Sequence, residues 1–410
     1  MAKPSIITGL DIGTSALKLL TAVKKSGESE LEVLSLVQEP AAGIRKGVVI
    51  DPGEVSNILQ NILKGVETET NQRINSVYLN VGGSHIFSTP SRGLVSVSRA
   101  DQKISEEDID RVLQAARAFS LPSNKEIFDV FPREFIVDGQ SGIKEVLGLQ
   151  GVRLEAEVLA LGGFAPYLKN LTQAVLNSGL QILDIIPSPI ASAGSCLSPR
   201  QKELGVAILD IGAGTSGLAV FEEGDLIHLA IFPIGSANIT NDIAIGLKTD
   251  IDVAERIKIE YGSCLISPNQ SSRKKEKIEI GEEEPLVFSK KQLTGIIEAR
   301  VSEIFDQVNK ELKKISREKL LPAGVVLTGG GSKLPKIVDF AKKELKLSCR
   351  IGKPQGFLNF EKDESLSTVC GLVLGGVDLE GERGEAALQT FFFGKGIGNK
   401  IKRIFKIFIP

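Results

Sequence analysis

Short apolar runs broken by glycine recur along this chain, and between them apolar residues return at helical spacing. Runs 5–10, 16–23, 31–37 and 77–81 read as strands. A helix is predicted to open at Asp51-Pro52-Gly53-Glu54, with a capping Asp, Pro at the first helical position and an acid at the third. Val55, Ile58, Leu59, Ile62, Leu63 and Val66 then follow helical spacing. The pattern changes at 84–161. Ser105-Glu106-Glu107-Asp108 starts a helix with Ile109, Val112, Leu113, Ala116 and Phe119 on one side, flanked by β-like segments 93–97, 127–137 and 151–161. One helix against a small sheet predicts a separate α+β unit inserted into the first half. The first pattern returns with a helix at 164–176 and a strand at 180–186.

A second half begins near Gly205, with two hairpin strands and then helical stretches 236–247 and 251–261. Segment 267–285 is rich in Ser, Lys and Glu and reads as an exposed, mobile loop. Ser289 with Gln292 predicts a capping box for a long helix to about 315. A strand at 325–328 ends in Gly329-Gly330-Gly331-Ser332, and a helix follows from Leu334. Residues 368–377 form a Gly-rich apolar helix, and 380–389 read as a flexible connector.

One motif occurs in both halves. Thr8-Gly9-Leu10-Asp11-Ile12-Gly13-Thr14-Ser15 and Ala207-Ile208-Leu209-Asp210-Ile211-Gly212-Ala213-Gly214-Thr215-Ser216 share the core Asp-Ile-Gly. Each joins two apolar runs through a tight turn. A carboxylate at a strand end can hold a hydrated Mg²⁺. Glycine backbone can approach a phosphate closely, where N–H groups and hydroxyls bond its oxygens. Two such hairpins suggest related halves gripping one nucleotide between them. The triple glycine at 329–331 adds a backbone flat enough to lie against an adenine ring, with N–H groups of the helix after it free for phosphate. Lys18, on the strand after the first turn, is either a phosphate contact or a solvated strand lysine. Glu255 and Lys258 share a helix face, either as a surface ion pair or as a ribose clamp.

The chain has 410 residues, 42% hydrophobic and 24% charged, so two or more globular domains are expected. A net charge of −2 and the lack of Trp argue against a nucleic-acid binder. The charge is uneven. Residues 395–410 hold Lys395, Lys400, Lys402, Arg403 and Lys406 and no acid, so this tail is +5 and the remainder is −7, the −2 total less the tail's +5. Ile397, Ile401, Ile404, Phe405 and Phe408 recur at helical spacing, with Lys400, Arg403 and Lys406 mostly elsewhere, which predicts a basic amphipathic helix for an anionic membrane surface. Cys196, Cys264, Cys349 and Cys370 form no C-x-x-C pair and read as free thiols. No apolar segment of spanning length appears, and the N-terminus lacks a secretory pattern.

The order of hairpin, helix-rich connector, second hairpin, Gly-rich turn and Gly-rich helix resembles the actin/Hsp70/sugar-kinase ATPase superfamily. Helices 187–196 and 368–376 fall where that superfamily has crossing helices and its hinge; Ala191, Ser192, Ala193, Gly194, Gly371, Gly375 and Gly376 permit close approach. Within the superfamily the chain resembles the bacterial cell-division FtsA proteins. The likeness is carried by Gly83-Ser84-His85-Ile86, Ser91-Arg92-Gly93, the run from Arg111 to Ala118, Arg133-Glu134-Phe135-Ile136-Val137-Asp138-Gly139-Gln140, Gly151-Val152-Arg153-Leu154-Glu155-Ala156-Glu157-Val158 and Thr240-Asn241-Asp242-Ile243-Ala244-Ile245-Gly246-Leu247. It runs from about residue 5 to 376 and takes in the basic tail.

The resemblance implies an α/β, actin/Hsp70-like two-lobed ATPase fold with an inserted small α+β subdomain, 1C. Subdomain 1A would span 1–83 and 163–197, 1C 84–162, 2A 198–240 and 321–379 with the return to 1A, and 2B 241–320. A linker at 380–394 and an amphipathic membrane-targeting helix at 395–410 would follow. It implies ATP and Mg²⁺ as cofactors, with Asp11 and Asp210 holding the metal through water. Thr14, Ser15, Lys18, Gly212, Gly214 and Thr215 would bind phosphates; Glu255, Lys258, Gly330 and Ser332 the nucleoside; Gly13, Gly235 and Gly329 would complete the site. Relatives often carry Glu or Gln, able to orient the attacking water, where this chain reads Pro187-Ser188-Pro189. Binding of ATP with weak or negligible hydrolysis is therefore expected. The implied partners are the C-terminal peptide of the tubulin-like FtsZ through 2B, neighbouring subunits of a filament through 1C, an anionic membrane, and further division proteins, with no nucleic acid. The implied location is peripheral, on the cytoplasmic face of the cell membrane at the septum. Two rivals remain: a pilus-assembly adaptor of the PilM type, which shares the insert but lacks a basic amphipathic tail, and a sugar or acetate kinase, which needs a carboxylate base in the cleft.

Overall fold

Two apolar hairpins organise two sheets of matching topology. In the computed structural model, which describes residues 6–25, 28, 30–266, 275–280 and 283–381, the chain opens with β1 (Ile6–Ile12), β2 (Ala16–Val23) and β3 (Leu31–Pro40). Leu10, Leu17, Leu19 and Leu20 are fully buried, as strands covered on both faces require. The two-residue strands β4 (Ile44–Arg45) and β5 (Val48–Val49), helix α1 (Pro52–Thr70) and β6 (Ser76–Val81) follow. The Asp51 carboxylate accepts from the Gly53 and Glu54 N–H groups and so starts α1, whose Val55, Leu59, Ile62 and Val66 are buried.

The insert consists of β7 (Phe87–Ser96), α2 (Glu106–Arg117), β8 (Lys125–Val137), β9 (Gln140–Ile143) and β10 (Arg153–Phe164). Its antiparallel sheet runs β7-β10-β8-β9. Val112 and Leu113 of α2 share a separate core with Phe135, Leu154 and Val158. Ser105 and Asp108 make the reciprocal capping box of α2, and Phe119 lies past the helix end.

The chain then returns through α3 (Ala165–Asn177), β11 (Gln181–Pro187), α4 (Ser188–Cys196) and α5 (Pro199–Leu204). The second half comprises β12 (Val206–Ile211), β13 (Ser216–Glu222), β14 (Asp225–Phe232), α6 (Ser236–Leu247), α7 (Ile251–Tyr261), β15 (Lys275–Ile280), β16 (Glu283–Ser289), α8 (Lys290–Lys314), β17 (Val325–Thr328), α9 (Ile337–Leu345), β18 (Cys349–Ile351), β19 (Phe357–Leu358) and α10 (Ser367–Gly381). The first sheet is ordered β11-β6-β1-β2-β3-β19 and the second β14-β13-β12-β17-β18. In each, three antiparallel strands begin at the Asp-Ile-Gly hairpin and two parallel strands extend from its first strand.

Helices α4 and α10 cross between the sheets. A Cβ on Gly371 would stand 1.7 Å from the Ala191 carbonyl oxygen, so the two backbones touch there. All four cysteines are free and buried.

Several expectations change. Within the segment expected as a loop at 267–285, residues 267–274 and 281–282 lie outside the described residues, and the rest belongs to the antiparallel strands β15 and β16, the latter running on to Ser289. A third strand, β14, follows the second hairpin, and β9 adds an edge to the insert. Ser289 caps α8 by accepting from the Gln292 N–H, but the Gln292 side chain donates to the Gly246 carbonyl, so the reciprocal half of the box is absent. The glycine triplet passes into a 3₁₀ turn at Gly330–Lys333, and α9 begins only at Ile337. Helix α10 runs to Gly381; the rest of the expected connector and the amphipathic tail 395–410 lie outside the described residues. Among the described residues no helix is long and apolar enough to cross a membrane.

Candidate functional site

The two hairpin loops close the same way: the Gly13 N–H donates to the Ala16 carbonyl at 3.1 Å, and the Gly212 N–H to the Thr215 carbonyl at 2.9 Å. They also touch, since a Cβ on Gly214 would stand 2.7 Å from the Thr14 side chain. Asp11 and Asp210 thereby face one cleft, lined also by Gly13, Thr14, Ser15, Lys18, Gly212, Thr215, Gly329 and Gly330.

Strand register places Lys18 directly across from Asp11. Its Nζ lies 3.5 Å from Asp11 Oδ2 and donates to the Ser365 carbonyl at 2.6 Å. The equivalent position across from Asp210 is Gly217, where the Pro189 ring leaves no room for a Cβ. Asn80 locks Asp11 from behind. Its Nδ2 donates to Asp11 Oδ1 at 2.7 Å and to Ser188 Oγ at 3.1 Å, and its Oδ1 accepts from the Ile12 N–H. Asp210 Oδ2 accepts from Ser192 Oγ at 2.7 Å and from Thr368 Oγ1 at 2.9 Å.

Burial pushes both carboxyls above their ordinary range. For Asp11, Lys18 pulls the other way and Asp210 adds to the rise; for Asp210, the Ser192 and Thr368 hydroxyls oppose it. Two buried carboxylates in each other's field are relieved by a cation between them. Besides Lys18 and Asn80, the cleft carries the hydroxyls of Thr14, Ser15, Thr215 and Ser236 along with the carboxylates, an oxygen-rich set that suits a hard divalent cation.

Gly214, Gly235, Glu255, Lys258 and Ser332 stand behind this lining. Gly235 packs against the Ala213 and Gly212 carbonyls, which leaves no space for a Cβ. Glu255 and Lys258 form an ion pair at 2.7 Å; the buried Lys258 Nζ also donates to Thr240 Oγ1 and to the carbonyl of Ser236, a cleft residue. Ser332 Oγ donates to the Gly329 carbonyl at 2.7 Å and so braces the glycine turn. Asn80, Gly47, Ser365 and Thr368 line the cleft without having been singled out from sequence. For Asn80 a signal existed, a polar residue inside the apolar run 77–81.

Comparison with known proteins agrees with this architecture. The family described as Cell division protein FtsA matches residues 207–371, and that described as the SHS2 domain inserted in FTSA matches 83–161. A cell division protein FtsA from Pseudomonas aeruginosa is 34% identical over 380 residues, covering 92% of this chain and 90% of its own. Among solved structures, the PilM–PilN type IV pilus biogenesis complex aligns with a TM-score of 0.64 at 18% identity, over 90% of this chain and 98% of that one. MreB5 of Spiroplasma citri bound to ADP aligns with a TM-score of 0.53 at 14% identity, over 89% and 94%. The chain therefore belongs to the FtsA family of cell-division proteins and has an actin/Hsp70-like two-lobed ATPase fold with an inserted small α+β unit.

Proposed function

We propose that this chain is an ATP-binding division protein that polymerises on the membrane and tethers the FtsZ ring to it at the septum. The observation that carries the nucleotide reading is that Asp11 and Asp210, on matching hairpins of the two halves, face one cleft. The ADP-bound MreB5 of the same fold supports it. In this reading Asp11 and Asp210 hold Mg²⁺ through water, and the loop N–H groups and hydroxyls at 13–15 and 212–215, with Lys18, bind phosphate oxygens. Lys18 would exchange its Ser365 carbonyl partner for phosphate. Gly329, Gly330, Ser332, Gly235, Glu255 and Lys258 form the nucleoside end. The metal, when bound, neutralises phosphate charge.

Hydrolysis is slow because both carboxylates of the cleft are committed to the metal and leave no further base. Among the described lining residues the carboxylates are Asp11 and Asp210 alone, and Ser188, at the start of α4, offers only a hydroxyl. The same lack disfavours a sugar or acetate kinase. Calorimetric titration with ATP is expected to give binding that Mg²⁺ strengthens, a gain lost in Asp210→Asn, with slow phosphate release. Cation-independent binding overturns the site; brisk Mg²⁺-dependent release overturns the hydrolysis reading.

The assembly roles rest on family membership. Subdomain 2B (241–320) receives the FtsZ C-terminal peptide, supported by the exposed aliphatic side chains Ile245, Ile251 and Ile259 on α6 and α7. Subdomain 1C (84–162) contacts the next subunit of a filament. Residues 395–410 bind the anionic bilayer peripherally, each basic residue contributing about 1 kcal/mol near the surface. The tail also separates this reading from a PilM-type adaptor. Flotation with anionic vesicles is expected for the full chain and lost when Phe405 and Phe408 become Glu; unchanged flotation would exclude this anchor.

A further inference from the structure

We infer that Ser192 and Thr368 are positioning residues that pin the Asp210 carboxylate to the crossing point of α4 and α10, leaving its other oxygen for the cation. This inference rests on the magnesium–nucleotide reading of the cleft.

Three elements meet at this point: β12 brings Asp210, α4 brings Ser192 and α10 brings Thr368. Ser192 is fully buried and Thr368 nearly so. Both hydroxyls donate to the same oxygen, Oδ2, and their own oxygens lie 2.9 Å apart. Each hydroxyl carries one proton. With Asp210 ionised, both protons are spent on Oδ2, and the pair satisfies itself through the carboxylate. Two charge-assisted bonds on one oxygen fix the plane of the carboxylate. The other oxygen, Oδ1, then lies on the Gly329 side of the cleft, where a Cβ on that glycine would meet it at 2.3 Å.

The anchor stands where the two helices touch. The helix backbones meet where Gly371 faces Ala191, one residue before Ser192 and three after Thr368. Further buried bonds hold this point: Ser195 Oγ of α4 donates to the Ser367 carbonyl of α10 at 2.7 Å, and Thr328 Oγ1 of β17 lies 2.6 Å from Ser367 Oγ. Asp11 is held differently, by Asn80 of its own sheet and by Lys18. One cation-side carboxylate is thus fixed to the helix crossing and the other to its own sheet.

The test measures ATP affinity of the full chain by calorimetry across a Mg²⁺ series and in EDTA. Removal of a hydroxyl behind a metal-side carboxylate is expected to weaken the Mg²⁺-dependent affinity by about tenfold or more. Thr368→Val, which keeps the shape, and Ser192→Ala should both do so while the affinity in EDTA stays at the wild-type value. Thr368→Ser, which restores the hydroxyl, should recover most of the loss. Unchanged Mg²⁺-dependent affinity in Thr368→Val overturns the inference. So does an equal loss in EDTA, or a loss in Thr368→Ser as large as in Thr368→Val, since either marks a packing role alone. The wild type separates the two levels: if its binding ignores Mg²⁺, the nucleotide–metal reading fails first and the inference falls with it.

Discussion

Gly329 stands at φ +81° and ψ 167°, a backbone region closed to residues with a Cβ. A Cβ there would also lie 2.3 Å from Asp210 Oδ1 and 2.6 Å from the Ile211 carbonyl. Gly330 beside it has room, its nearest neighbour being the Ser365 Cβ at 3.9 Å. Gly329→Ala is therefore expected to cost about 1–3 kcal/mol of stability through backbone strain, and to weaken Mg²⁺–ATP binding through the displaced carboxylate. Gly330→Ala should leave stability unchanged. Urea unfolding and nucleotide titration of the pair decide it: wild-type behaviour in Gly329→Ala would show that the carboxylate does not need this space. Asp11 and Asp210 were legible in the sequence because each ends an apolar run inside a repeated motif. Asn80, Ser192 and Thr368 were not recognised as partners of those carboxylates. Asn80 is 69 positions from Asp11, and Thr368 158 from Asp210, so only the folded strand and helix registers pair them.

At the scale of elements, local signals were enough wherever an apolar period coincided with a cap. Helix α1 begins where Asp51 and Pro52 predicted, and α2 where Ser105 and Asp108 did, because both signals act within one turn. Strand β14 is not legible in the sequence. It follows the charged stretch Glu222-Glu223-Gly224-Asp225, and its pairing with β13 slips at Val220/Phe221, which breaks the alternation that marks a strand. The hairpin β15–β16 carries no strand signal in sequence because its composition is dominated by Lys and Glu. The Gly-rich helices were recognised, but not their depth of contact. That the Gly371 position touches the Ala191 carbonyl follows from the crossing of two helices separated by most of the second half. The reciprocal cap expected from Gln292 failed for a related reason: Gly246 of α6 offered its carbonyl at 3.2 Å, and a tertiary acceptor displaced the local one.

At the scale of the whole molecule, the insert does more than extend the first half, because it also covers β14, the edge strand of the second sheet. An uncovered edge would present unpaired backbone groups. Here Ser88 Oγ donates to the Leu229 carbonyl at 2.8 Å and accepts from the Leu229 N–H at 3.3 Å. Lys144 of the insert pairs with Asp225 at the start of β14 and also donates to the Arg133 carbonyl. Burial pushes the Asp225 carboxyl up from its ordinary 3.8 to about 6, outweighing the Lys144 ion pair and the more distant Arg133. The sign follows from which state holds the proton. Between pH 4 and 6 the folded chain keeps the Asp225 proton and the unfolded chain has lost it, so folding takes up a proton. This group therefore makes the fold less stable as pH rises through that window, and its cost is constant above about pH 6. The full shift corresponds to no more than about 3 kcal/mol. Asp225→Asn removes the titration while keeping the shape. Urea unfolding from pH 4.5 to 7.5 should show the stability of the wild type relative to Asp225→Asn falling as pH rises to about 6 and level beyond it. Parallel curves over the whole range would mean that the junction of insert and second half leaves Asp225 as exposed when folded as when unfolded.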